Sequence, residues 1–229
     1  MRKLLPLLFL TACVNPMINH HQCNWRTVLC DPTLNCLLEM TPISSSCVAG
    51  VYVHYRGLQL RQQLLEIHIE NYDKLIEETK GLVDRGVMSA IDLQNLITFQ
   101  GTLKSQFYKL ETELVKILYE LAPLVKTCPL PLACYLCQPS DLPRALRDAP
   151  CGPVLLLHSY YNDEERVRAL SKAQEAARES YVMTEDLFRR GLKSSIDLLN
   201  AHKILIGSED EYIQARVDYL VDYIKLNNR

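Results

Sequence analysis

An eleven-residue segment occurs twice in this chain. Arg85-Gly86-Val87-Met88-Ser89-Ala90-Ile91-Asp92-Leu93-Gln94-Asn95 matches Arg190-Gly191-Leu192-Lys193-Ser194-Ser195-Ile196-Asp197-Leu198-Leu199-Asn200 at seven of eleven positions, at an offset of 105 residues. Both copies sit between long runs in which apolar residues recur every three or four positions. Before the first copy, Leu65, Ile69, Tyr72, Ile76, Thr79 and Val83 follow a 4-3-4-3-4 spacing, the seam of a coiled coil. Periodic runs continue from Ile91 to Leu121, from Glu164 to Phe188 and from Ile196 to Leu226. Pro123, Pro129 and Pro131 close the second run. Each unit is therefore expected to be a helix of about 28 residues, a glycine turn and a helix of about 35, or roughly 40–50 Å at 1.5 Å per residue. Gly86 and Gly191 supply a turn conformation that other residues resist. Ser89 and Ser194, followed by Asp92 and Asp197, are placed to cap the returning helix at its positive end. The fold class that follows is all-α, with two repeated long antiparallel helical hairpins.

The last run carries two adjacent apolar tracks. One contains Leu198, Leu205, Tyr212 and Tyr219, and the other Leu199, Ile206, Ile213, Leu220 and Tyr223. A stripe that wide suits a helix with neighbours on both sides. Composition supports a packed chain: 48% hydrophobic and 23% charged residues exclude disorder. A formal charge of -2 argues against a general nucleic-acid binder, which carries a basic patch.

Nine cysteines are many for a chain of this size. The first follows a basic start, Met1-Arg2-Lys3, and an apolar run from Leu4 to Leu10 that is too short to span a bilayer. Leu10-Thr11-Ala12-Cys13 resembles a bacterial lipobox, which implies a signal peptide over 1–12, a lipid on Cys13 and, with Val14 next, an outer-membrane anchor facing the periplasm. Loss of Arg2 and Lys3 leaves 23 basic against 27 acidic residues. The other eight cysteines form two groups, Cys23, Cys30, Cys36 and Cys47, then Cys128, Cys134, Cys137 and Cys151, one before each hairpin. Their even number and an oxidising compartment favour disulfides, with connectivity open among 105 pairings. Metal binding is the rival. Only Cys134 and Cys137 have zinc-like spacing, although His20 and His21 lie near Cys23. No resident metal or cofactor is assigned. The expected divisions are a Cys-rich segment over 13–54, a first hairpin over 55–124, a Cys/Pro-rich connector over 125–162 and a second hairpin over 163–229. No nucleophile elbow, phosphate loop or zinc-protease motif is present, and His54, His68, His158 and His202 are scattered, so an enzyme is not expected.

The Gly-x-x-Ser-x-x-Asp-Leu turn, present twice between coiled-coil helices, resembles the outer-membrane efflux (TolC-like) family. Gln214-Ala215-Arg216-Val217-Asp218-Tyr219-Leu220 is similar to that family's last long helix. The resemblance covers about residues 55–125 and 163–227. It implies a homotrimer whose hairpins close a twelve-helix periplasmic barrel. The glycine turns would form the tip, where transporter and adaptor subunits dock. It implies that Asp197 narrows the entrance, while Asn200 stands where the family has a second acidic residue and so weakens a cation-binding ring. It places Lys193 as a tie between neighbouring hairpins, with Asp92 as its partner. Val51 to Arg56 and Val154 to Tyr161 are the only strand-like runs, too short for membrane strand pairs. The expected molecule is thus a lipoprotein with the family's lower hairpins and disulfide-rich heads in place of a β-barrel. It would serve as a conduit or docking piece of an export, efflux or secretion assembly. The alternatives are a structural lipoprotein of a larger envelope complex and, third, a metal-binding envelope protein.

Overall fold

The structure, a computed structural model, describes residues 28–41, 44–127, 132, 133, 136, 141–145 and 154–228. Among these the chain forms five α-helices and one pair of two-residue strands. Four helices are long: α2 (Ser45–Asp84), α3 (Ala90–Leu124), α4 (Val154–Arg189) and α5 (Ser195–Leu226). The short α1 (Pro32–Glu39) precedes them, and β1 (Leu29–Cys30) pairs antiparallel with β2 (Arg144–Ala145). No helix of the described residues is long and apolar enough to cross a membrane.

The helices pair as the repeat requires. α2 packs along α3 and α4 along α5, giving two antiparallel hairpins. The hairpins join through α2 and α5, and α3 also touches α5, so the lateral order is α3–α2–α5–α4. The wide stripe of α5 is explained by these contacts. Leu198, Leu205, Ile213, Ala215, Val217, Leu220 and Tyr223 are all buried, spread over more than one face. On α2, Leu65, Tyr72 and Thr79 of the expected seam are buried, while Ile69, Ile76 and Val83 are only half-buried. His68, also buried in this stretch but off that seam, faces the second hairpin through Glu209 and His202.

Two apolar clusters result. One lies toward the tips and contains Leu65, Tyr72, Leu96, Leu103, Phe188 and Leu198. The other fills the opposite end, with Leu34, Tyr52, Leu121, Leu136 and Tyr223 among its members. Each fully buried leucine contributes about 1.5–3 kcal/mol relative to exposure.

The helices start earlier than the sequence pattern suggests. α2 begins at Ser45, inside the expected Cys-rich segment, and α4 begins at Val154. The runs read as strand-like, Val51 to Arg56 and Val154 to Tyr161, are helical. Buried Val48, Ala49, Tyr52, Val53 and Arg56 show why for the first, since their spacing is helical once the preceding turn is counted. At the head, Asp31 caps α1 by accepting from Leu34 N–H at 2.9 Å. Its other carboxylate oxygen accepts from Tyr52 Oη at 2.8 Å, and that hydroxyl accepts from Arg56 Nε at 2.9 Å. Arg56 also donates to Gln59, which donates to the Leu136 carbonyl at 3.0 Å. Burial pushes the Tyr52 hydroxyl well above the usual phenol range.

Cys30, Cys36 and Cys47 are unpaired thiols, Cys36 and Cys47 lying on α1 and α2. The expected bridges are thus not formed among these three. Cys13, Cys23, Cys128, Cys134, Cys137 and Cys151, with the expected signal peptide and lipid anchor site, lie outside the described residues.

Candidate functional site

The two turns share the same glycine cap. Gly86 and Gly191 have φ of 73° and 72°. Gly86 N–H donates to Val83 C=O at 2.8 Å and Val87 N–H to Leu82 C=O at 2.9 Å. Gly191 N–H donates to Phe188 C=O and Leu192 N–H to Leu187 C=O at the same distances. This is a Schellman cap, which needs a left-handed residue after the helix. A β-branched residue there is strained whatever the space. Gly86→Val or Gly191→Val is expected to cost about 1–2 kcal/mol in urea unfolding, with no change of helical content in the folded state.

The returning helices are capped by the predicted serines. Ser89 Oγ accepts from Ile91 N–H at 3.1 Å. Ser194 Oγ accepts from Asp197 N–H at 3.2 Å, while Asp197 Oδ2 accepts from Ser194 N–H at 3.1 Å and from its hydroxyl, a complete capping box. The Ser194 hydrogen bonds hold the exposed Asp197 carboxyl below its usual range. A lowered carboxyl pKa stabilises above the unfolded value and is lost as pH falls through the folded one. Ser194→Ala is expected to lower stability by about 1 kcal/mol, measured by thermal unfolding.

The first tip does something the second does not. Asp92 Oδ1 accepts from the N–H of Ser195 at 3.2 Å, and Asn95 Nδ2 donates to Ser195 Oγ at 3.1 Å. Hairpin one thereby grips the start of α5. Asp92 forms no ion pair with Lys193 within the chain among the described residues. Lys193, Asp197 and Asn200 are exposed. Around these polar groups, Val87, Ile91, Leu192 and Ile196 are 66%, 71%, 69% and 60% exposed, matching pairs from the two repeats. Both turns therefore carry the same apolar crown over a rigid backbone.

Above the tips a polar ladder crosses from hairpin to hairpin. Arg61 binds Asp210, His68 binds Glu209, His202 binds His68 and Tyr72, and Arg189 binds Glu78. The sequence pattern missed this ladder, because one histidine on a helix face has no period to announce it. Among the described residues, no group of three or more His, Cys, Asp or Glu side chains is arranged to hold a metal ion.

Long hairpins in the order α3–α2–α5–α4, each closed by a Schellman glycine and a capped serine, define an outer-membrane efflux, TolC-like fold. Solved structures similar to the chain include the outer-membrane channel OprN (TM-score 0.73, 15% identity, 86% of this chain and 68% of that one). The outer membrane protein VceC of Vibrio cholerae gives a TM-score of 0.63 at 11% identity, covering 86% of this chain and 70% of its own. CusC, described in terms of folding and transmembrane channel formation, gives 0.65 at 10%, covering 85% and 69%. At these identities the likeness is one of fold. No protein-family model matches the chain, and no curated protein sequence does.

Proposed function

We propose that the chain is a lipid-anchored periplasmic component of an export or efflux assembly, whose paired turns dock on a partner and whose copies associate side by side. The observation that carries this reading is the tip. Two rigid, repeat-related turns end long helical rods and expose matching apolar side chains, Val87 with Leu192 and Ile91 with Ile196. Isolated exposed apolar residues are ordinary, but repeated ones at the ends of rods suit a protein partner. The likeness in fold to outer-membrane channels supports an envelope setting, and the Leu10–Cys13 tetrad supports the anchor. In a homotrimer, Lys193 would reach a carboxylate of the next copy, and Asp197 with Asn200 would border the entrance.

The test is crosslinking in the native envelope, with a photoreactive residue at Val87 or Leu192. The expected products are a second copy of the chain and an envelope transporter or adaptor subunit, both diminished by Gly191→Val. A purified mature chain that stays monomeric at micromolar concentration, with tips that capture nothing in the envelope, would sink the reading and favour a structural lipoprotein.

A further inference from the structure

A hydrogen-bonded chain of buried ionisable groups crosses the boundary between the hairpins. Glu209 of α5 accepts from Arg178 of α4 at 2.6 Å through Oε1 and lies 2.7 Å from His68 Nε2 of α2 through Oε2. His68 Nδ1 lies 2.9 Å from His202 Nε2 of α5, and His202 Nδ1 lies 3.0 Å from Tyr72 Oη of α2. With both imidazoles neutral, one set of protons satisfies every link. The Glu209 carboxylate can only accept, so His68 donates from Nε2 and accepts at Nδ1. His202 must then donate from Nε2 and accept at Nδ1 from the Tyr72 hydroxyl. Both imidazoles are neutral in this arrangement. The three contacts of Glu209, His202 and Tyr72 along this chain each join α2 to α5.

We propose that His68, His202, Tyr72 and Glu209 form a proton-binding site that fastens the two hairpins together at neutral pH and lets them part in acid. A groove of about 640 Å³ opens onto His68 and Glu209, between Arg61, Leu65, Phe99 and Lys109, and gives solvent protons a route. One added proton on the histidine pair turns His202 Nδ1 into a donor. Tyr72, fully buried, must then accept, and its own proton loses its acceptor. A second proton sets the His68 and His202 N–H groups against each other across 2.9 Å. The ring pair cannot satisfy that state without separating.

The surroundings resist the charge. His202 is fully buried, stacked on Tyr72 at 5.1 Å and against Tyr181 of α4 at 4.5 Å, with Phe99 of α3 on a further side. Arg178 already neutralises Glu209, Lys203 sits over Phe99, and Glu185 and Arg189 lie beyond Tyr181. Burial, then neighbouring His68, hold the His202 ring far below the ordinary imidazole range, to about 3. A base depressed in the folded state stabilises above its free value near 6.5, and that stability is lost as pH falls toward the folded value. Nor does the cluster suit a metal: Glu209 and His202 occupy opposite nitrogens of the same His68 ring.

The test measures the gap between hairpins directly, and does not depend on what the tips bind. Spin labels carried by non-cysteine residues at exposed Glu70 of α2 and Glu179 of α4 report the distance across the seam in the full chain. Between pH 7 and 5 the parting equilibrium is expected to shift by roughly 30-fold toward the open form, reversibly. His202→Phe, which keeps the stacking and cannot titrate, should leave the distance insensitive to pH. Nitrogen-15 spectra of the wild-type imidazoles supply a readout that needs no variant, with both buried rings neutral and protonated at Nε2 at pH 7. A distance unchanged down to pH 4.5, a variant that opens like the wild type, or an Nδ1-protonated His68 at neutral pH would each overturn the proposal.

Discussion

Asp31→Ala is expected to lower the unfolding free energy by about 4 kcal/mol. The carboxylate performs two tasks. Oδ1 caps α1 through Leu34 N–H, and Oδ2 holds the hydroxyl that Tyr52 shares with Arg56. Arg56 is 1% exposed and cannot relax into water. Removing the carboxylate leaves a guanidinium buried beside a tyrosine that has lost its acceptor, and it also uncaps α1. Asp31→Asn keeps one accepting oxygen, enough for the α1 cap but not also for the Tyr52 hydroxyl, and loses the charge, so it should lose less than alanine by about the value of the cap. Urea unfolding followed by circular dichroism separates the two. Equal losses for alanine and asparagine would mean that the charge and the Tyr52 contact matter and the cap does not, and a negligible loss for alanine would mean that the head does not fold cooperatively with the helices.

Gly57→Leu is expected to cost about 2 kcal/mol through overpacking. A Cβ at this position lies 2.5 Å from Cγ2 of Val217 across the α2–α5 boundary, closer than real side chains approach. Gly57→Ala meets the same atom, but the helix regains about 1 kcal/mol from alanine's propensity, so its net effect is small. Combining Gly57→Ala with Val217→Ala removes the clashing methyl. The pair should be more stable than the sum of the single changes by a measurable coupling energy. A purely additive cycle would show that the hairpins are not in close contact there. Here glycine serves a function unlike that of Gly86 and Gly191: it permits approach, whereas they permit a turn.

The hairpins were legible in the sequence because their signals are local. A positive-φ glycine, a serine three residues later and an acidic residue three beyond that occupy adjacent positions, and heptads repeat along one chain. The wide stripe of α5 likewise announced neighbours on more than one side. What was not legible depends on distant partners. His68 and His202 lie 134 residues apart, and nothing in their local spacing joins them. Asp92 was matched with Lys193 by resemblance, whereas within the chain its carboxylate is taken up by the backbone of Ser195. The early start of α2 escaped because Val51 to Arg56, taken alone, is too short to distinguish strand from helix. Four turns of α2 near the head are fixed by Asp31, Leu136 and their neighbours, contacts that no window along the chain contains.

The lateral order α3–α2–α5–α4 ends in two different helices. An object whose left and right edges differ cannot continue itself by a two-fold axis without abandoning that order. In a homo-oligomer that keeps this order, each added copy would bring its α4 to the previous α3, so the contact would be head-to-tail and every junction the same. Such a series either closes, when the turn between copies divides a full circle, or runs on without end. The grip of Asp92 and Asn95 on Ser195 has a repeat-related counterpart in Asp197 and Asn200, whose target would be the Ala90 amide of the next copy. That target has no hydroxyl. The junction inside a chain and the junction between chains are therefore related but unequal, and a ring built from them would alternate tighter and looser seams.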